Sequence, residues 1–387
     1  MILVGYRINR ASGTFQTPVG SFLPLAKASP MSKIKHALVI YNPGSGKVGD
    51  LDRRLGAIVR RLHESSDYIV TVRGTTPGIT QEELLFSAAE AFDLVIACGG
   101  DGTVGQVLGA LADTKSKAKV GIVPFGTGNL MAHHLGIYQR GDVLESALDT
   151  ILEGFSVPLD LGRMNDRYFI IDAATGPISN ALIVPKQRHK RFWGLFVYFL
   201  PLLRSMAHRP RIFKISVDGD EPVLMTASGV FVATIGEMGI NNAFDYSQLH
   251  NGTLDLIVMN PLSVADYWRT TWRFMAWNIF GRTIKSDPPY MVLKIKSAEI
   301  DVLSNRSEKS QVHHWARRIK NILGRKRDVD PALTERTTAM VDGDRYGSTP
   351  MKIEIVPNAV QIIVPKPKTD DQSEHLQRLD KLTTHAA

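Results

Sequence analysis

Residues Leu94–Gln106 read LVIACGGDGTVGQ. Four apolar residues and a cysteine run without a break into Gly-Gly-Asp-Gly-Thr. An apolar run of this length bounded by glycine reads as a strand covered on both faces, as in a parallel sheet flanked by helices. The pattern repeats on either side. HALVIY (36–41) is a strand, NPGSGKVGD a loop, and Asp50 caps a helix with Leu51, Leu55, Ile58, Val59 and Leu62 on one face. YIVTV (68–72) is a second strand, and Thr80 with Glu83 forms a capping box for a helix over 80–92. A third helix covers Val104–Leu111, KVGIVPF (119–125) is a fourth strand, and a helix starts at Leu130. Strands alternating with helices imply right-handed crossovers and a three-layer α/β domain.

Beyond about Pro158 the texture changes. RYFIIDAATG, RIFKISVDG, MTASGVFVATIG, GTLDLIVM, YMVLKIKSAEIDVL, TAMVDGDRYG, MKIEIVP and AVQIIVP are short, β-branched and separated by turn residues. They predict an antiparallel β-sandwich. Residues 1–32 read as a disordered extension, 33–157 with about 351–366 as the α/β domain, and 158–350 as the sandwich. A basic insertion falls at about 305–336, and 367–387 reads as a disordered tail. Helices are expected over 192–205 and 266–280.

The composition is that of a globular protein, with 44% hydrophobic and 22% charged residues among 387. The formal charge of +8 favours a polyanionic partner. Cys98 is the only cysteine, so no disulfide or Cys-based metal site forms within one chain. It reads as core filling, and a reducing, cytoplasmic setting fits. The longest apolar run, Phe192–Leu203, is interrupted by Pro201 and falls short of the roughly 20 residues of a membrane span. Oligomeric state is left open, a homo-oligomer included.

Three glycine-bearing loops follow predicted strands: Asn42-Pro43-Gly44-Ser45-Gly46-Lys47, Gly99-Gly100-Asp101-Gly102-Thr103, and Gly126-Thr127-Gly128-Asn129 after Pro124-Phe125. In an open parallel sheet all three fall on the carboxyl edge, where ligands bind. Glycine lets backbone N–H groups approach an anion, Ser45, Thr103 and Thr127 add hydroxyls, and Lys47 adds a charge. Each loop alone also reads as a tight turn; together they read as a distributed phosphate cradle. No Walker loop is present, because Tyr41 and Val48 stand where glycine and Ser/Thr are needed. A carboxylate amid phosphate-binding amides is repulsive unless it serves a cation. Asp101 is therefore read as handling Mg²⁺.

At these residues the sequence resembles the diacylglycerol kinase catalytic-domain family, which includes bacterial lipid kinases and sphingosine and ceramide kinases. NPGSG, GGDGT and P-F-G-T-G-N occur in the family's order. LDLG (159–162), NGTLDLIVM (251–259) and VDGD (341–344) are similar to its later blocks. The resemblance implies ATP as donor, Mg²⁺ as cofactor, a lipid alcohol as acceptor, and a last strand returning to the first domain. It implies a nucleotide site lined by Asn42–Gly46, Thr76, Gly100–Gln106 and Thr127. It places the proton acceptor at the pair Asp342 and Asp344, where spacing alone reads as a hairpin turn. Four positions depart from the family: Gln106 replaces its usual Glu, Leu130 its frequent Asp, Asp344 a Glu, and Asn251 an Asp that binds a structural Mg²⁺ in bacterial members.

Two segments combine cations with apolar residues. Lys186–Lys214 carries eight Lys/Arg, no acid, and Phe192, Trp193, Phe196, Tyr198 and Phe199. Lys309–Arg327 carries seven Lys/Arg, no acid, and apolar residues at helical spacing. Both read as contacts to an anionic membrane surface or as solvated faces over a core. No nucleic-acid module is recognisable. The expectation is a cytoplasmic, peripherally membrane-bound lipid kinase that uses ATP and Mg²⁺. An NAD kinase-like enzyme and a catalytically weakened lipid- or nucleotide-binding protein are the alternatives.

Overall fold

Four strands, β1 (Lys35–Tyr41), β2 (Tyr68–Gly74), β3 (Leu94–Gly99) and β4 (Lys119–Pro124), pair in parallel in the order β2-β1-β3-β4. The computed structural model describes residues 35–45, 50–66, 68–76, 78–79, 81–85, 92–126, 128–137, 142–182, 210–234, 246–260, 290–303 and 336–367. All of these belong to one compact unit that begins at Lys35. The N-terminal extension and the polar tail from 368 lie outside the described residues. So do the first basic segment up to residue 209, the second basic segment, the helix expected over 266–280, and Gly46, Lys47, Thr80 and Thr127.

Helix α1 (Leu51–Ser66) joins β1 to β2, α2 (Gln81–Leu84) precedes β3, and α3 (Asp101–Asp113) joins β3 to β4. The chain leaves β1 toward one edge of the sheet and leaves β3 toward the other. With right-handed crossovers, α1 and α3 therefore fall on opposite faces. Helix α3 starts at Asp101, three residues before the Val104 expected from periodicity. Gly100 is its N-cap and the Asp-Gly-Thr of the motif is its first turn. Helix α4 (Leu130–His134) follows the third loop as expected.

Helix α5 (Val143–Glu153) was not anticipated from the pattern. Asp142 caps it by accepting the Leu144 N–H at 2.9 Å, and Gly154 closes it in the left-handed region at φ 67°. Ile58 and Leu62 of α1, Leu108 and Leu111 of α3 and Leu148 of α5 are buried with the four strands in one apolar core.

The remaining strands form the sandwich. β5 (Ser156–Met164), β6 (Arg167–Phe169), β8 (Arg211–Val217), β9 (Val223–Ala227), β13 (Ser297–Val302) and β16 (Met351–Ile363) extend the first sheet to ten strands among the described residues. β7 (Asp172–Thr175), β10 (Gly229–Ala233), β11 (Leu254–Met259), β12 (Tyr290–Ile295), β14 (Thr338–Val341) and β15 (Asp344–Ser348) form a second, antiparallel sheet, of six strands among the described residues. Phe169, Phe213, Ile300 and Ile353 of the first sheet bury against Val230, Leu256 and Val341 of the second. The outer face of the second sheet is apolar too: Phe231, Ile257, Met259 and Met340 pack with Ile178 of α6 (Pro177–Leu182).

The last strand returns to the α/β layer, as the fold reading requires. Gln361 and Ile362 pair in parallel with Lys119 and Val120 of β4, while Met351–Glu354 pair with β13. MKIEIVP and AVQIIVP, read as two strands, are one. The register against β5 shifts between Val356 and Val360, so Pro357 and Asn358 sit in a bulge, where a residue without an N–H is tolerated. The buried Asp160 of LDLG serves this bulge. Its carboxylate accepts the Asn358 N–H and the Gly252 N–H, each at 2.7 Å.

Candidate active site

The direction of chain travel reverses between β1 and β3, and in sheets of this kind the crevice beyond that point takes the ligand. The first two loops leave those two strands. The Asn42 N–H reaches across to the Cys98 carbonyl at 3.3 Å. The Asn42 side chain accepts the Gly44 N–H at 2.8 Å, and its carbonyl accepts the Ser45 N–H at 2.9 Å. Asn42 thus folds the first loop as an Asx turn. The Thr75 N–H donates to the Tyr41 carbonyl at 2.7 Å, which brings exposed Thr76 to the same edge.

The second and third loops are in backbone contact. Phe125 N–H donates to the Gly99 carbonyl at 3.0 Å, and Asn129 Nδ2 to the Gly126 carbonyl at 2.8 Å. The glycines here do different things. A Cβ on Gly99 would lie 2.5 Å from the Thr103 side chain, and one on Gly126 would lie 2.6 Å from the Gly100 Cα. Those two are demanded by packing. Gly102 is exposed in the first turn of α3, and a Cβ there would meet nothing within 4 Å. Its bareness leaves open space beside the α3 N-terminus. Gln106 is exposed one turn on, and Leu130 stands 47% exposed at the start of α4.

Sequence reasoning found no structural work for Asp101; the fold supplies some. Asp101 Oδ1 accepts the Met131 N–H at 3.0 Å, so the carboxylate satisfies a donor in the first turn of α4 from thirty residues away. Oδ2 borders Gly128, where a Cβ would lie 3.3 Å away. Asp101 also bears on His133: burial lowers that imidazole's pKa and the nearby carboxylate opposes the shift. Mg²⁺ commonly takes one or two carboxylates alongside substrate phosphates, so Asp101 fits that demand with its second oxygen. Among the described residues there is no group of three or more His, Cys, Asp or Glu disposed around a metal. The Asn251 side-chain oxygen Oδ1 is engaged within its own turn, accepting the Thr253 N–H and O–H at 2.9 Å each.

The acidic turn reaches α3 from the second sheet. Asp342 and Gly343, at φ 48° and 81°, form a two-residue hairpin turn between β14 and β15. Helix α3 lacks side chains where the sandwich meets it. A Cβ on Gly105 would lie 3.4 Å from Asp342 Oδ2, and one on Gly109 would lie 3.3 Å from Tyr168. Gly105 is four residues after Asp101, on the same helix face, so Asp342 sits one turn from the GGDGT carboxylate.

The two acids of the turn differ in kind. The Asp342 carboxylate accepts the N–H groups of Ile170, Ile171 and Asp172 at 2.8–3.2 Å. Burial first, then the neighbouring Asp172, pushes its pKa up to about 7, while those N–H groups pull it down. Burial pushes Asp172 up to about 6. Asp344 is exposed. Asp342 is thus engaged in holding the turn, whereas Asp344 is left exposed. Asp172 escaped sequence reading because a lone acid at a strand start has no motif. Cys98 is fully buried and burial pushes its thiol pKa up, so it is core filling.

A cavity of about 750 Å³ lies at the opposite, amino edge of the parallel sheet, lined by Lys35, Tyr68, Asp93, Lys117 and Glu153 among others. It is remote from the glycine loops, and the strand-order reversal favours the loops as the site.

A strand-order reversal with two glycine loops at it, a third loop laid on the second and an acidic turn brought beside them suits an enzyme that handles phosphate groups. Residues 36–164 match the family model described as the diacylglycerol kinase catalytic domain. The diacylglycerol kinase of Bacillus subtilis (strain 168) is 30% identical over 240 residues, which are 61% of this chain and 77% of that protein. The diacylglycerol kinase of Staphylococcus carnosus (strain TM300) is 30% identical over 237 residues, 60% of this chain and 75% of that one. The crystal structure of a diacylglycerol kinase from Bacillus anthracis str. Sterne superposes with a TM-score of 0.57 at 20% identity, covering 86% of this chain and 98% of that chain. The chain belongs to the diacylglycerol kinase family. It is a kinase of the lipid-phosphorylating class, a phosphotransferase with an alcohol group as acceptor. Among the described residues no helix is long and apolar enough to cross a membrane.

Proposed function

We propose that this chain transfers the γ-phosphoryl group of ATP to the hydroxyl of a diacylglycerol-like lipid, with Mg²⁺ as cofactor. The observation that carries the reading is the contact of Asp342 with Gly105, which seats an acidic turn one helical turn from the GGDGT loop. The α/β part would bind the nucleotide and the sandwich the lipid. Backbone N–H groups of the first loop and of the α3 N-terminus would hold phosphate oxygens. Bound Mg²⁺ would supply charge neutralisation on the phosphates, with Asp101 as its protein ligand or water anchor. Asp342 fixes the turn, and Asp344 takes the hydroxyl proton as the lipid oxygen attacks the γ-phosphorus. The bond from that phosphorus to the β,γ-bridging oxygen breaks, and ADP leaves with the electron pair.

The basic aromatic segments 186–214 and 309–327 would hold the enzyme peripherally on anionic membrane from the cytoplasmic side. The test is phosphoryl transfer from labelled ATP to a panel of lipid alcohols in anionic mixed micelles. Transfer to one lipid, reduced at least about a hundredfold in Asp344→Ala, supports the reading. No transfer to any lipid by a protein that still binds ATP would favour a weakened binding protein and make NAD the next acceptor to try.

A further inference from the structure

Arg54 stands in α1, just beyond the first glycine loop, and no motif singles it out. Its guanidinium carbon lies 5.2 Å from the centroid of the Phe125 ring. Phe125 is 7% exposed and leads directly into Gly126 of the third loop. Arg54 Nη2 also lies 2.7 Å from Asp50 Oδ2, and the Arg54 backbone N–H donates to the Asp50 carbonyl at 3.1 Å. One cation therefore bridges the end of the first loop to the start of the third. The side chain remains 41% exposed.

A guanidinium has a flat face and five N–H donors in its plane. Here the guanidinium carbon lies over the Phe125 ring and Asp50 takes one edge, which restrains the group while leaving donors unspent among the described residues. A surface ion pair one turn apart on a helix is worth only a few tenths of a kcal/mol, so Asp50 is a weak competitor for a multiply charged ligand. A planar donor set held at the rim of an amide cradle suits phosphate oxygens, which arginine binds through paired N–H groups.

We propose that Arg54 is a nucleotide-binding residue, held on Phe125 so that its free N–H edge grips the phosphate chain. The proposal rests on the reading of the three loops as the nucleotide site. The test is calorimetric binding of ATP, ADP and adenosine to the full chain and to Arg54→Gln and Arg54→Lys. Loss of a charge-assisted contact should weaken ATP and ADP about tenfold or more in Arg54→Gln, less in Arg54→Lys, and leave adenosine unchanged. Unchanged ATP affinity in Arg54→Gln would overturn the proposal. So would an equal loss for adenosine, because Arg54 would then merely hold the loops. A full chain that binds no adenine nucleotide would overturn the nucleotide-site reading as well.

Discussion

Gly126 and Gly100 meet backbone to backbone: a Cβ on Gly126 would lie 2.6 Å from the Gly100 Cα and 2.6 Å from Asn129 Oδ1. The third loop is thus laid directly on the second, and its position is set by the absence of one methyl group. Gly102, in the same motif, has no such neighbour. The two glycines should therefore fail differently. Gly126→Ala must push backbone apart, and overpacking of this kind costs about 1–3 kcal/mol. Gly102→Ala should leave stability unchanged or raise it slightly, since alanine favours a helix, yet weaken nucleotide binding by filling the space beside the α3 N-terminus. Urea melts and nucleotide titrations on both variants check this. Equal destabilisation of the two would refute the assignment of different roles.

Much of this arrangement was legible in the sequence, and the exceptions have physical reasons. Unbroken apolar runs such as Leu94–Cys98 specify buried parallel strands, and strand ends specify where ligand loops lie. The start of α3 was misplaced because Asp101, Gly102 and Thr103 carry no apolar period, though a glycine N-cap followed by an acid is a helix start. α5 was missed although Asp142 and Gly154 mark both its ends. β16 read as two strands because Pro357 breaks the pattern, while the bulge and Asp160 that absorb the break are three-dimensional facts. The difference between Asp342 and Asp344 was out of reach for the same reason. Two residues apart in a turn, they are separated by which one finds the N–H groups of Ile170, Ile171 and Asp172.

Asp101 caps α4 and is proposed to serve Mg²⁺, and a single substitution separates the two. Asp101→Asn keeps an oxygen for the Met131 N–H but removes the charge; Asp101→Ala removes both. If the carboxylate also serves Mg²⁺, Asp101→Asn should stay within about 1 kcal/mol of the parent in stability and lose most of its Mg²⁺-dependent transfer. Asp101→Ala should lose the transfer and about a further 1–3 kcal/mol through the buried donor left unpaired. Thermal melts with transfer assays across a Mg²⁺ series distinguish the duties. An Asn variant with the parent's Mg²⁺ dependence would restrict Asp101 to capping α4.

The neighbouring carboxyls of Asp172 and Asp342 make stability depend on pH with a definite sign. Burial raises both above the ordinary carboxylate range, to about 6 and about 7. The folded chain therefore binds more protons than the unfolded chain between about pH 4 and pH 7, and stability falls as pH rises through that window. Below about pH 4 these groups are protonated in both states, and above about 7 the loss from this pair is complete. Both residues keep some contact with solvent, which limits the effect to on the order of 1–2 kcal/mol. Asp172→Asn removes one raised carboxyl and the like charge facing the other. It should make the chain more stable at pH 7.5 than the parent, with little difference at pH 4.5. Asp342→Asn should not share that gain, because an amide accepts the N–H groups of Ile170–Asp172 less well than a carboxylate. Urea melts of the three proteins from pH 4.5 to 7.5 read both effects. A parent whose stability rises across that range, with Asp172→Asn parallel to it, would show that the pair is not held in the strained, proton-binding state the packing implies.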